Sequence, residues 1–131
     1  MKAAYPIIMT KGKKWIIVTV PDFDINTQGT DYADAMYMAR DAIGLMGITL
    51  EDDGEAIPAA SDMETVMKDH AGEGVVTLVD VDFTEYRRAN DMRTVRRNVS
   101  LPNWLNVKAE QSGINVSAVL QKALKAELGI A

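Results

Sequence analysis

Cysteine is absent from the 131 residues, and histidine occurs once, at His70. The first absence excludes disulfides, thiolate metal sites and a cysteine nucleophile. The second excludes histidine-rich metal sites and most histidine-dependent catalysis within one chain. His70 stands beside Asp69 ahead of a glycine turn and reads as a surface residue. No apolar run approaches the roughly 20 residues that a membrane span requires. The opening residues, Met1 to Pro6, lack the apolar stretch of a secretory leader, so a soluble, cytoplasmic protein is expected. What is present is an ordinary globular composition, 47% hydrophobic and 25% charged. That suits one ordinary domain or two very small ones.

The net charge of −5 conceals a division. Residues 1–84 carry six Lys/Arg against fifteen Asp/Glu, net −9, and residues 85–131 carry eight against four, net +4. An acidic front repels nucleic acid and attracts a basic protein, whereas a basic rear can sit on phosphate. The division points to two modules with different partners, although an uneven surface without partners would give the same sums.

Within the front, Tyr5–Thr10 and the β-branched run Trp15–Val20 read as a hairpin closed near Gly12. Pro21-Asp22 ends the second strand, and Phe23–Thr27 reads as a third. Thr30 or Asp31 can cap a helix whose apolar residues Ala35, Met38, Ala39, Ala42, Ile43 and Met46 recur at spacings of three and four. Gly47 is its expected C-cap. Glu51–Glu55 reads as a solvated acidic loop, Asp62–His70 as a short helix, and Val75–Phe83 as a strand with Asp80 and Asp82 on one face. This part is an α+β module, a sheet backed by at least one helix. The polar stretch after it, residues 85–92, is the expected linker.

The rear, 93–131, has a sharper pattern. Thr94–Leu101 has strand character, with Val95, Val99 and Leu101 on one face and Arg96, Asn98 and Ser100 on the other. Pro102 can open a helix over Asn103–Ser112, and Gly113 can close it. Asn115 or Ser117 then caps a second helix with the stripe Val116, Val119, Leu120, Ala123, Leu124 and Leu128. One strand cannot satisfy its own backbone, and so short a unit cannot bury much of a core. Two copies solve both problems: the strands pair into an antiparallel ribbon with the helices beneath. Such a ribbon fits the DNA major groove, where Arg reads guanine and Asn reads adenine. The alternative is that these polar residues merely solvate an exposed strand. The strand, the Leu-Pro junction, the inter-helix Gly and the Asn-x-Ser cap resemble the ribbon-helix-helix family. A homodimer through 93–131 is expected, with assembly to a tetramer left open.

The order of modules carries a wider resemblance. YPIIM, a lysine-bearing turn, WIIVTVPDF and TQGTDYADAMYMARDAIGLM resemble the N-terminal module of HicB antitoxins. A ribbon-helix-helix segment behind such a module is a known pairing in that family. The resemblance implies a partial RNase-H-like module that binds and blocks a small basic mRNA-cleaving toxin, HicA. It also implies a C-terminal module that binds operator double-stranded DNA and represses the shared operon. Arg96, Asn98 and Ser100 would face bases. Arg97, Asn115, Val116 and Ser117 would lie near phosphates, the last three through backbone amides. Asp22, Asp24, Asp80 and Asp82 are the candidate toxin-facing acids. A metal-dependent nuclease would need several carboxylates around its metals, but the first strand carries no acid. No catalytic residue, metal or cofactor is therefore assigned. The competing reading is a ribbon-helix-helix regulator whose N-terminal domain senses a small molecule.

Overall fold

The computed structural model describes residues 1–130. They divide into two compact units, Met1–Met92 and the rest from Arg93 onward. The first unit is built on an antiparallel sheet of β1 (Lys2–Lys11), β2 (Ile16–Val20), β3 (Ile25–Gly29) and β4 (Val75–Asp82), in the order β3-β2-β1-β4. The expected hairpin is β1 and β2, with Ile8 opposite Thr19 and Lys11 opposite Ile16. The third strand starts later than expected because Pro21–Phe23 forms a 3-10 turn. Asp24 closes that turn at φ 51, a left-handed conformation that Asp tolerates better than most residues.

Tyr5, Ile7 and Met9 of β1 share one sheet face with Val18, Val20, Val79 and Val81. Against that face packs α1 (Tyr32–Asp52), through Ala35, Ala39 and Ile43. Asp31 is the N-cap, accepting from the Asp34 amide at 2.7 Å. Gly47 does not end α1, which runs five residues further. The reason lies in α3 (Phe83–Ala89), a helix that occupies most of the expected linker 85–92. A Cβ on Gly44 would sit 2.4 Å from the Tyr86 ring, and one on Gly47 would sit 2.2 Å from the Phe83 ring. The two glycines are therefore a seat for two aromatics, not a stop signal. Asp82 caps α3, accepting from the amides of Thr84 and Glu85 at 3.1 and 3.3 Å. Arg87 reaches back to Asp52 at 3.0 Å and Glu51 at 3.5 Å. Two residues of the expected acidic loop are thus the end of α1, held by a cation.

The Tyr86 hydroxyl donates to Asp41 at 3.0 Å. Burial first, and then this hydrogen bond to a carboxylate, push the phenol up to about 12. An unfolded tyrosine ionises near 10. Below that pH the phenol is neutral in both states and its contribution is fully present. As pH rises from about 10 to 12 the unfolded chain ionises first, so stability falls through that window. Thermal melts from pH 9 to 12 should therefore show a shallower alkaline decline for Tyr86→Phe than for wild type. Parallel declines would mean that the hydroxyl is not held by Asp41.

Between α1 and β4 the chain wraps the sheet. The Tyr5 hydroxyl donates to the Pro58 carbonyl at 2.7 Å, and Ser61 donates to Asp22 through both its amide and its hydroxyl. The expected short helix is α2 (Met63–Asp69), following Asp62, with Val66 buried. His70 is bonded through Nδ1 to Glu73 at 2.5 Å.

The second unit holds α4 (Asn103–Ser112) and α5 (Val116–Glu127). Gly113, at φ 64, closes α4 as expected, and its amide donates to the Glu110 carbonyl at 3.1 Å. Asn115 caps α5 by accepting from the Ala118 amide at 3.1 Å. Residues 94–101, expected as a strand, form none. All four strands of the described residues belong to the first unit's sheet, and a ladder needs a second strand to receive its hydrogen bonds.

Candidate nucleic-acid and partner surfaces

The second unit is amphipathic without an interior. Neither α4 nor α5 contains a buried residue. Along α5 the apolar stripe lies open, with Val119 55% and Leu124 47% exposed. Val95, Val99, Leu101, Trp104 and Leu105 are exposed as well. An apolar surface of that extent on so small a unit marks an interaction site. Thr94–Arg97 lies beside α5 and, with Ser117, Leu120, Gln121 and Leu124, lines an open groove of about 600 Å³. The chain thus brings Arg96 and Arg97 together with Ser117. It does not bring Asn98 or Ser100 into that groove. Val116 and Ser117 form the first turn of α5, where amide groups precede the helix's own hydrogen-bond ladder and the dipole favours an anion.

The four candidate acids of the first unit are occupied in different ways. Asp22 holds the 57–61 segment through Ser61. Asp82 caps α3 and is only 26% exposed in its side chain. Asp80 is 86% exposed and pairs with Arg40 at 3.0 Å, and that guanidinium holds its carboxyl below the usual carboxylate range. Arg40 also donates through Nε to the Asp80 carbonyl at 2.9 Å, covering part of the edge that β4 presents. Asp24 is exposed on the 3-10 turn. Among the described residues no group of three or more His, Asp or Glu side chains could hold a metal ion. No described helix is long and apolar enough to cross a membrane.

Sequence reasoning missed Arg40, because its role depends on β4 lying beside α1. It also missed the part that Phe83 and Tyr86 play in placing α3. The spacing of three shared by Gly44/Gly47 and Phe83/Tyr86 was the signal available.

Comparison with known proteins bears on nearly the whole chain. Residues 5–123 match the family described as HicB-like antitoxin of bacterial toxin–antitoxin system. No curated protein matches the chain. Among solved structures, the chain is similar to the antitoxin HicB of Burkholderia pseudomallei, with 27% identity, a TM-score of 0.56 and coverage of 97% of both chains. It shares its fold with a chain of a toxin–antitoxin complex from Streptococcus pneumoniae, at 21% identity and a TM-score of 0.57, covering 97% of this chain and 99% of that one. A chain of a HicA3 and HicB3 toxin–antitoxin complex is similar at 24% identity and a TM-score of 0.52, covering 60% of this chain and 98% of that one. The matched residues take in most of the sheet, α1 to α4 and the first two turns of α5, and the chain belongs to the HicB-like antitoxin family of bacterial toxin–antitoxin systems.

Proposed function

We propose that this antitoxin has two working surfaces. The first unit binds and neutralises a small basic HicA-like mRNA-cleaving toxin. The second dimerises as a ribbon-helix-helix module, binds operator DNA and represses its own operon. The observation that carries the reading is the open apolar stripe of α5. A second copy would cover it and would give residues 94–101 the antiparallel neighbour they lack. In that arrangement Arg96, Asn98 and Ser100 face bases. Arg97 and the first-turn amides of α5, at Val116 and Ser117 behind the Asn115 cap, lie against phosphate. The acidic first unit suits a basic toxin, with Asp80 and Asp24 the exposed contributors and Asp22 and Asp82 shaping the surface around them. Two solved relatives are toxin–antitoxin complexes by description, which supports a protein partner for this unit. The reading assigns the chain no catalytic step and places it in the cytoplasm.

The test is a mobility-shift titration on the DNA upstream of this chain's gene. Wild type should bind saturably. Arg96→Ala/Asn98→Ala should bind at least about 100-fold more weakly, since each lost base contact is worth about 1–3 kcal/mol of discrimination and a dimer loses every contact twice. Equal binding by the double variant would remove the base-reading role of these residues. Absence of binding by wild type would remove the operator function.

A further inference from the structure

The first unit repels DNA on average, with a net charge of −9 over residues 1–92, yet its eight cations are not evenly spread. Three of them, Lys11, Lys13 and Lys14, stand on the single turn that joins β1 to β2. The turn has a defined shape: Lys11 pairs with Ile16 at the last rung of the ladder, and the Gly12 amide donates to the Trp15 carbonyl at 2.9 Å. All three lysines are exposed, and Trp15 beside them is 40% exposed. Among the described residues no carboxylate lies within ion-pair distance of any of the three, whereas Arg40 is taken by Asp80. In an acidic unit, a cluster of cations left without acidic partners is a local reversal of the surface.

We infer that the Lys11–Lys14 hairpin tip is a second DNA-contacting surface, one that holds phosphates flanking the site read by the C-terminal unit. The inference rests on the operator-binding reading above. Three points favour duplex phosphate as the occupant. Charge complementarity excludes a basic protein. Lysine is a flexible point charge suited to phosphate without demanding a fixed geometry, and the indole N–H of Trp15 can donate to the same backbone. The unit's overall negative charge does not prevent the contact, because at physiological salt charges more than about 8 Å away are largely screened. A protruding tip therefore meets the backbone mainly with its own charge. Each phosphate neutralised releases counterions, so such a contact appears as salt dependence and adds no base specificity.

The experiment measures operator affinity between 50 and 300 mM salt for the full chain and two variants. Lys11→Gln/Lys13→Gln/Lys14→Gln removes the tip. Lys2→Gln/Lys68→Gln removes two cations of the same unit elsewhere. The tip variant should bind at least about tenfold more weakly at moderate salt, and, with one tip lost from each of the two protomers, its slope of log affinity against log salt should be shallower by up to about five. Sequence preference should stay unchanged, and backbone footprinting should lose protection only at the flanks. The control variant should match wild type in slope. Equal slopes for wild type and tip variant overturn the inference and leave the operator reading standing. A loss shared equally by the control overturns it as a general charge effect. Loss of binding to single-stranded RNA alone would assign the tip to a different partner and overturn it too. Failure of wild type to bind the operator overturns both readings together.

Discussion

Under the proposed ribbon-helix-helix reading, Leu124→Asp in α5 is expected to dissociate the C-terminal dimer and to abolish operator binding with it. Leu124 lies in the apolar stripe and lines the groove beside residues 94–97. Within one chain its side chain is 47% exposed, so an aspartate there costs the monomer little. In the dimer the same carboxylate would be buried without a partner. Breaking the balance of a buried charge costs about 3–5 kcal/mol, and a two-fold interface contains the substitution twice. The expected weakening of the dimer is therefore on the order of 10⁴-fold or more. Sedimentation equilibrium at micromolar concentration should find monomer for Leu124→Asp and dimer for both wild type and Lys122→Gln. The latter makes the same change in net charge but is not part of the stripe. Helix signal from residues 103–127 should fall in the monomer, because neither helix buries a residue by itself. The first unit should melt as before. A Leu124→Asp protein that remains dimeric would place the interface elsewhere and end the ribbon-helix-helix reading.

The features legible in the sequence were those set by local chemistry. The β1–β2 hairpin follows from two β-branched runs across a glycine turn. Asp31, Gly113 and Asn115 occupy caps that are recognisable from the residue and its near neighbours alone. The features misread depend on groups far apart in the chain. Gly47 looks like a helix end when read along the chain, yet Phe83, thirty-six positions away, fills the space above it. The stretch behind Phe83 looks like a linker because its polar residues show no period. Two aromatics and one capping aspartate are enough to make it a helix once α1 offers glycines to receive them. Residues 94–101 have an alternating pattern, but a pattern does not make a ladder. No second strand pairs with them among the described residues, and under the dimer proposed above a second copy would supply one. Among the candidate acids, composition gave the charge but not the duties: Asp82 is a cap and Asp22 a tether, while Asp80 remains on the surface.

Gly47→Leu should unfold the first unit or come close to it, and Gly47→Ala should lower its melting temperature despite improving helix propensity. The two effects oppose each other. Replacing glycine by alanine inside a helix contributes about 0.8–1.0 kcal/mol of propensity. The added Cβ would lie 2.2 and 2.6 Å from two atoms of the Phe83 ring, well inside contact distance. Phe83 is only 2% exposed and packs edge-on to Tyr5 at 6.3 Å between centroids, so its ring has little room to turn away. Overpacking of a close-packed core typically costs about 1–3 kcal/mol. The clash is therefore expected to outweigh the propensity gain, by about 1 kcal/mol for alanine. That corresponds to a fall of about 4–8 °C for a unit of this size. Leucine adds three more heavy atoms to the same space. Pairing Gly47→Ala with Phe83→Leu discriminates the cause. If the ring is the obstacle, the alanine should be less harmful in the Phe83→Leu background than in wild type, or even favourable there, because the propensity term is then unopposed. A Gly47→Ala protein that melts higher than wild type would mean that α3 can slide along α1. The two glycines would then be a loose seat, and the fixed placement of α3, which leads into the C-terminal unit, would no longer follow from them.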